Sequence, residues 1–264
     1  MCICWRVVTW DGRPVEMSES RKVWLWSAAL AVAASFAVCA LFSAINYRWR
    51  WDAIWERREL ILRGWSVSAM VSLGAMVLSI VIALLLMAGQ RCRVLPLHLL
   101  ARGVVELVRG TPLLVQLLVG YYIVGNALRL NARTPVGIVI LALFEGAYLA
   151  EIFRGALESI GASQLEAAKA VGFDRRQTWR FVILPQAMRR ALPGTAGQLV
   201  SLVKDSSLLS VIAVDELTHV VQAANAAAYT GLEGFVPLML LYLALTLPLS
   251  WWARRLEARF KYET

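Results

Sequence analysis

Residues 166–185, EAAKAVGFDRRQTWRFVILP, form a charged, helix-forming segment that separates two long apolar runs of the chain. A protein embedded in a membrane has little use for such a polar segment unless another protein docks on it. We therefore interpret 166–185 as a docking loop and the apolar runs on both sides of it as membrane-embedded helices.

The composition places the rest of the chain in a membrane. Apolar residues make up 59% of the 264 residues and charged residues only 17%. A helix needs ~20 apolar residues to cross ~30 Å of hydrocarbon, and in lipid only helices or closed barrels satisfy the polar groups of the backbone. Because the apolar runs are long and continuous, the sequence predicts an all-α polytopic membrane protein.

The lengths of the apolar runs predict six membrane spans, at 23–43, 65–88, 112–128, 136–153, 196–214 and 234–253. An even number of crossings puts both termini on one side of the membrane. Basic residues are concentrated in the link that follows the second span and in the link between the fourth and fifth spans. Since basic links stay in the cytoplasm, these links and both termini are predicted to be cytoplasmic.

The segment 46–63 disagrees with this charge bias, because it carries five arginines on the predicted outer side. Its interleaved tryptophans favour an amphipathic helix lying at the outer interface, and an error in the first span is the alternative. Residues 1–16 differ in character from the rest of the chain, so Met17 is the predicted biological start. The predicted divisions are a cytoplasmic tail at 1–22, an extra transmembrane helix with the external segment at 23–63, a core at 64–254 with its loop at 155–193, and a cytoplasmic tail at 255–264.

The net charge of +9 does not indicate a nucleic-acid partner, because the basic residues lie beside span ends, where anionic lipid headgroups attract them. The sequence places no histidine at metal-ligand spacing from the four cysteines. It also shows no nucleophile with a neighbouring base and no phosphate-binding glycine loop. We therefore predict no enzyme activity, metal or cofactor for this chain, and a lipid membrane as its surroundings.

Local sequence signals predict two short helices within the loop. Ser163 and Glu166 have the spacing of a capping box, in which each side chain accepts from a free amide of the other residue. Asp174 and Gln177 repeat this spacing after Gly172, whose freedom at positive φ suits the end of a helix.

Three further features of the loop concern its surface and its end. A stop of the second helix is predicted near Pro185, because proline lacks the amide that continues a helix and fits a helix start. Ala168 and Gly172 stand one turn apart, and their small size would let another backbone approach. Phe173 is predicted to project from the loop as an apolar knob.

These residues resemble the cytoplasmic "EAA" loop of ABC-importer permeases. The matching positions are Glu166-Ala167-Ala168, Gly172 and Leu184-Pro185, with Val182 where isoleucine is usual. Similar blocks occur at 109–116, RGTPLLVQ, at 147–156, AYLAEIFRGA, and at 204–208, KDSSL. They look like the subgroup that imports polar amino acids of the histidine, glutamate and arginine type, and the resemblance covers roughly 60–260.

The resemblance implies a MetI-like core of five helices, to which the first span is an addition. It also implies a bacterial inner-membrane importer in which two permeases, identical or paralogous, form the pathway. Two ATPase subunits would grip the loops and carry ATP and Mg, and an extracytoplasmic solute-binding protein would deliver an amino acid. The residues that would contact the ATPase are Glu166, Ala167, Ala168, Gly172, Phe173, Leu184 and Pro185.

Depth in the membrane is the guide to residues that meet the solute. Glu145 lies nine residues from the start and eight from the end of the span 136–153, or ~12–14 Å from each end. A carboxylate at that depth costs ~2.5–3.5 kcal/mol, so it needs a partner or a purpose. Lys204 and Asp205, placed near the middle of the span 196–214, meet the same problem.

Two interpretations of these charges stay open. In one, Glu145 forms a structural ion pair with Lys204 across two helices. In the other, the charges line a polar pathway in which Glu145 or Asp205 meets an ammonium group and Lys204 a carboxylate, so that Glu145 would favour a cationic amino acid. The hydroxyls of Ser206 and Ser207 belong to the same pathway in this second interpretation.

Glu151 and Arg154 are three residues apart at one end of the fourth span, a spacing that predicts a structural salt bridge. Two other classes of protein remain alternatives to an ABC permease. An ion-coupled secondary transporter would also have buried charges, although the sequence shows no duplicated halves. A membrane anchor or sensor subunit without transport would explain the docking loop but not the charges within the membrane.

Overall fold

The computed structural model describes residues 49–260 and, before them, positions 26, 28–30, 32, 33, 36, 40 and 47. The chain divides into two units, 1–49 and 50–264. In the first unit the described positions from 26 to 40 are helical. Most of the predicted span 23–43 and the predicted start at Met17 lie outside the described residues. All elements named below belong to the second unit.

Every regular element within residues 50–260 is helical, which confirms the all-α fold class. The α-helices are α1 (Trp51–Trp55), α2 (Arg58–Gln90), α3 (Leu95–Gly110), α4 (Leu113–Leu118), α5 (Arg133–Glu158), α6 (Ala162–Ala170), α7 (Arg175–Gln177), α8 (Leu184–Asp205), α9 (Leu217–Ala228) and α10 (Phe235–Phe260). Two π-helical segments, Val119–Gly125 and Thr178–Ile183, and a 3₁₀ segment, Ser206–Ile212, extend α4, α7 and α8.

Three helices among the described residues, α2, α5 and α10, are each long and apolar enough to cross a membrane. Two bent pairs pass the same test together: α3 with α4 and its π-helical extension, bent by 111°, and 175–212 with α9, bent by 48°. If each bent pair is one span, the count rises to five, the number of helices in the core expected from the sequence.

The arginine-rich segment 46–63 differs from its prediction as one interfacial helix. Only 51–55 form the short helix α1, and 58–63 are instead the first turns of α2. The reason is packing, since Ile61 is buried in a small apolar cluster with Leu217 and Val221 of α9. Helix α2 therefore begins seven residues before the predicted start of the span at 65.

The predicted span 112–128 corresponds to α4 and its π-helical extension, 113–125, but a sharp bend joins it to α3, a helix that the sequence analysis did not predict. Thr111 and Pro112 have extended backbone, which ends α3 and starts α4. The side-chain amide of Gln116 holds the bend, because its Nε2 donates to the carbonyl of Val108 at 2.7 Å, the carbonyl of Thr111 at 3.1 Å and Thr111 Oγ1 at 2.9 Å. Gln116 thus satisfies carbonyls that the end of α3 leaves open.

We expect Gln116→Leu to lower the midpoint of thermal unfolding by roughly 2–8 °C, because each lost hydrogen bond contributes ~0.5–1.5 kcal/mol and the carbonyls at the bend lose their donor. The measurement is a melting curve of the purified protein in detergent. Gln222→Leu is the matched control, since Gln222 is exposed on α9. Equal midpoints for the two variants would show that Gln116 does not hold the bend.

The core lies where α2 packs on α5, with Leu202 of α8 and Leu209 of the 3₁₀ segment completing it. Small residues allow this close approach. A Cβ added at Gly146 would stand 2.7 Å from Ile82 Cγ2 and 3.2 Å from the carbonyl oxygen of Ser79, so only glycine fits there. This contact places the centre of α5, including Glu145, deep inside the bundle.

A buried acid that the sequence did not predict joins three helices at the start of α9. The Glu216 carboxylate accepts from the amides of Thr218 at 2.9 Å and His219 at 2.8 Å, which makes Glu216 the N-cap of α9. It also accepts from Tyr242 Oη of α10 at 2.8 Å and Ser68 Oγ of α2 at 3.3 Å. Both oxygens of the carboxylate therefore accept hydrogen bonds that join α2, α9 and α10.

We expect Glu216→Ala to lower the yield of folded protein and to destabilise it by roughly 2–4 kcal/mol, because a helix cap is lost and buried donors lose their acceptor. The control is Asp215→Ala, since the Asp215 side chain next to it is 86% exposed. Gel-filtration yield and thermal unfolding in detergent measure the difference. A Glu216→Ala variant as stable as Asp215→Ala would contradict this role.

Candidate docking loop and translocation site

The first loop helix, α6, begins differently from the prediction. Its N-cap is Gly161, and no side chain caps it, so the predicted capping box of Ser163 and Glu166 is wrong. Ser163 lies within the first turn, because the extended backbone at Gly161 lets the helix start two residues earlier. The carbonyl of Gly161 accepts from the amide of Gln164 at 3.1 Å.

The turn between the loop helices and the start of the second helix agree with the prediction. Gly172 has φ +85°, the left-handed region, and the amide of Phe173 donates to the carbonyl of Ala168 at 3.0 Å. Asp174 and Gln177 form the predicted capping box, with the Gln177 amide 2.7 Å from Asp174 Oδ1 and the Asp174 amide 2.9 Å from Gln177 Oε1.

The predicted stop near Pro185 is wrong, because the helical path continues through it, but Pro185 does stand in the first turn of α8, in agreement with the prediction that it fits a helix start. Pro185 is the second residue of α8, directly after the π-helical segment Thr178–Ile183. A wider helical turn absorbs the missing amide of a proline without ending the helix. As a result, one continuous helical path runs from the capping box at Asp174 to Asp205.

Exposure separates the loop residues into two groups. Glu166, Ala167, Leu184 and Pro185 are exposed, whereas Ala168 is buried within the chain itself. Ala168 is therefore covered by its own chain, so in this structure its small side chain is not available for the predicted approach of another backbone.

The apolar knob of the loop is a different residue from the predicted one. Phe173 is half-buried against Phe181, with ring centroids 6.1 Å apart. Val171, next to the turn, is 74% exposed. Val171 therefore offers an apolar contact to another molecule at the turn, and Trp179, Phe181 and Leu184 are further exposed apolar residues of the loop.

The candidate translocation site is centred on Glu145, at the middle of α5. Glu145 is 1% exposed, and its Oε2 accepts from Gln198 Nε2 of α8 at 2.9 Å. Its Oε1 is buried without a hydrogen-bond partner. Asp205 is near enough to interact electrostatically with it. A buried acid with an unpartnered oxygen thus lies within electrostatic range of a second acid.

The predicted ion pair of Glu145 with Lys204 is absent from the described part of the chain, where Lys204 is exposed. Helix geometry explains this. Asp205 follows Gln198 by seven residues and so shares its face of α8, whereas Lys204 is turned ~100° away from Asp205. Gln198 was missed by sequence reasoning, although its spacing of seven residues from Asp205 is a readable signal.

The other predicted pathway residues lie at a break in the helix. Helix α8 ends at Asp205 and continues as the 3₁₀ segment, so Lys204 and Asp205 are not in the middle of a straight span. Ser206 is fully buried and donates to the carbonyl of Val203 at 2.8 Å. Ser207 is half-buried, which leaves it nearer to the surface than Ser206.

Glu151 and Arg154 are paired in the structure. Arg154 Nη2 lies 2.8 Å from Glu151 Oε2, and Arg154 Nε lies 3.1 Å from Glu151 Oε1. Arg154 also contacts Glu158 at 2.6 Å, and Arg109 of α3 contacts Glu151 at 3.3 Å. The pair therefore belongs to a network that ties α3 to the end of α5.

A bundle of membrane-crossing helices with a buried acid at its centre and a polar helical loop at one end defines a membrane transport protein. The described residues contain no group of three or more side chains that would hold a metal ion. The chain belongs to the family of binding-protein-dependent transport system inner membrane components, whose model matches residues 80–262.

Relatives in the same family share most of the chain. The glutamine transport system permease protein GlnP of Escherichia coli is 37% identical over 214 residues, covering 80% of this chain and 97% of that protein. The probable glutamine ABC transporter permease protein GlnP of Bacillus subtilis is 36% identical over 208 residues, covering 77% of this chain and 95% of that protein. The protein is thus a multi-pass permease of the inner membrane and a subunit of an ABC transporter.

Solved structures agree with the fold. A crystal structure of an amino acid ABC transporter with histidines matches with a TM-score of 0.75 and 27% identity, over 81% of this chain and all of that chain. The MetNI methionine ABC transporter in an inward-facing conformation matches with a TM-score of 0.61 and 17% identity, over 78% of this chain and 99% of that chain. The second likeness concerns the fold alone.

Proposed function

We propose that this chain is the permease subunit of an ATP-driven importer that carries a polar amino acid. The proposal rests on a continuous helical path, 175–212, which joins the docking loop to Gln198 and Asp205. Gln198 contacts the buried Glu145, and Asp205 lies within electrostatic range of it. Movement of the loop as a rigid body would therefore move the site. Relatives named for glutamine transport support the choice of solute.

The partners follow from this proposal. An ABC ATPase subunit docks on the exposed face of α6 and on Val171, and it carries the ATP and Mg, so this chain itself binds no cofactor. A second permease, identical or paralogous, completes the pathway, and an extracytoplasmic solute-binding protein supplies the amino acid. The docking loop and both termini then lie in the cytoplasm, as the basic links indicate.

We place the main ATPase contact on α6 and the turn that follows it, rather than at Leu184 and Pro185. Glu166, Ala167, Gly172 and Val171 present an open surface, and a Cβ added at Gly172 would meet nothing within 4 Å. Phe173 and Ala168 instead support this surface from beneath. Leu184 and Pro185 lie on the helical path that leads away from it.

We propose that two acids, Glu145 and Asp205, contact the solute. Glu145 lacks a hydrogen-bond partner on Oε1, and Asp205 adds negative charge nearby, so the ammonium group of an amino acid is the cation that this site needs. Lys204, exposed next to Asp205, is proposed to meet the carboxylate. Ser207 is the hydroxyl nearest to the surface there. A site with two acids would favour a cationic side chain, such as that of arginine.

The test is reconstitution in proteoliposomes with the co-purified ATPase and binding protein. We expect uptake of labelled amino acid that requires ATP, with competition by glutamine and arginine ranking the solutes. Uptake driven by an ion gradient in the absence of ATP would make the protein a secondary transporter. ATPase binding without flux of any solute would make it an anchor or sensor subunit.

A further inference from the structure

A polar cavity of about 380 Å³ lies at the docking-loop end of the bundle between α2, α3 and α5. Its volume is within the range of small-molecule sites, ~300–1,000 Å³. Its charged and polar lining residues are Gln90, Arg91, His98, Arg102, Glu106, Arg109, Glu151, Arg154 and Glu158.

This cavity is separate from the candidate translocation site. Arg154 follows Glu145 by nine residues, so the two side chains point from opposite faces of α5. Glu145 faces Gln198 of α8, whereas Arg154 faces the cavity between α2 and α3. A molecule bound in the cavity would therefore not lie on the path of the transported solute.

The cavity has an unneutralised positive group. Each of its carboxylates already has an arginine: Glu106 contacts Arg102 at 2.8 Å, and Glu151 and Glu158 both contact Arg154. Arg91, exposed at the end of α2, forms no ion pair within the described residues. With four arginines facing three carboxylates, the cavity is left attractive to an anionic group.

The cavity also contains a hydrogen-bond acceptor that no donor reaches, the side-chain oxygen of Gln90. Gln90 Nε2 points at Glu151 Oε1 at 3.4 Å, which orients Oε1 of the same side chain away from that carboxylate. Gln90 Oε1 is buried and has no hydrogen-bond partner. A buried acceptor of this kind costs free energy until a donor reaches it. An N–H donor beside an anionic group would satisfy Gln90 and Arg91 together.

We propose that this cavity is a binding site for a zwitterion that carries a primary ammonium group close to an anionic group. A free amino acid and the headgroup of phosphatidylethanolamine share this chemistry. The anionic group lies against Arg91, and the ammonium group donates to Gln90 Oε1. Bound there, the zwitterion lies against the end of α2 and faces the α3 residues that line the cavity, the last of which, Arg109, precedes the 111° bend.

The test measures thermal unfolding of the protein in nanodiscs of phosphatidylcholine and phosphatidylglycerol. Glutamine or arginine is added in one arm, and phosphatidylethanolamine is built into the disc in the other. N-acetylglutamine, which lacks the ammonium group, is the chemical control. Arg91→Gln is the test variant and Arg93→Gln its matched control, since Arg93 is equally exposed but does not line the cavity.

We expect stabilisation in at least one arm, with a midpoint concentration at least about tenfold higher in Arg91→Gln than in Arg93→Gln. Stabilisation by the free amino acid alone identifies a cytoplasmic solute as the ligand, and stabilisation by the disc lipid alone identifies the headgroup. No shift in either arm, or equal shifts in both variants, would overturn the proposal. Since Glu145→Gln should keep the shift, failure of the transport proposal would be seen separately.

Discussion

Val171→Asp is expected to abolish capture of the ATPase subunit while leaving the permease folded. Val171 is 74% exposed in the subunit, so the aspartate costs little there. In a complex the carboxylate would be buried against the partner without a counter-charge, which costs several kcal/mol. Since ~1.4 kcal/mol is a factor of ten in affinity, capture should fall by about a hundredfold or more. The measurement is an affinity pull-down in mild detergent with mass spectrometry of the co-purified chains.

Val94→Asp is the matched control, because Val94 is 58% exposed in the link between α2 and α3, at the same end of the bundle. It makes the same substitution outside the docking loop and should leave capture intact. The double variant Glu166→Ala with Gly172→Asp tests the rest of the proposed surface and should also lose the ATPase. Normal capture by Val171→Asp and by the double variant would show that the ATPase docks elsewhere.

Glu145→Gln is expected to lower ATP-driven uptake by roughly ten- to a hundredfold at limiting solute, because a hydrogen bond between charged groups contributes ~1.5–3 kcal/mol. Glutamine preserves the size of the side chain and can still pair with Gln198, so only the charge is lost. Thermal stability should stay the same or rise, since the variant removes one of two neighbouring acids. Uptake in proteoliposomes and melting curves measure the two effects.

Glu257→Gln serves as the control for Glu145→Gln, because Glu257 is an exposed acid of α10 outside both the translocation site and the polar cavity. Competition by arginine should weaken more than competition by glutamine in Glu145→Gln, if the acid also selects a cationic side chain. Unchanged uptake and selectivity would leave Glu145 as a structural acid. A loss of folded protein without a change in uptake per folded molecule would lead to the same conclusion.

The sequence predicted helices well where apolar residues run without interruption. The spans at 65–88 and 136–153 lie wholly within α2 and α5, and 234–253 lies within α10 except for its first residue. The helices continue past the predicted ends by two to seven residues. It failed at α3, because the arginines and Glu106 on one face of that helix break the apolar run. The buried face of α3, with Ala101, Val105 and Val108, is defined by what packs against it.

Within the docking loop, prediction succeeded where the signal was short-range. The box of Asp174 with Gln177 and the positive φ of Gly172 depend on neighbouring residues alone, and both are present. The box of Ser163 with Glu166 failed, since Gly161 offered the backbone an equally local but earlier start. At Pro185 the helix continues because the π-helical segment Thr178–Ile183 precedes it, and no simple sequence pattern predicts a π-helical segment.

The buried charges show the same division between local and distant information. Spacing along one helix predicted the contact of Glu151 with Arg154, which needs no other element. The partner of Glu145 depends on how α8 is rotated against α5, so Lys204 was named as a candidate where Gln198 is the neighbour. Glu216 went unnoticed, because its donors come from three helices that are distant in the chain.

By itself, the sequence determined the membrane class, the all-α fold, the long apolar helices of the core and the family, because apolar run length and short motifs are written along the chain. Tertiary structure alone decided the bend that Gln116 holds, the half-burial of Phe173 beside an exposed Val171, and the unpaired oxygen of Glu145. These features depend on which faces of distant helices meet. Packing fixes that choice, since a rotation of ~100° exchanges one side chain for its neighbour.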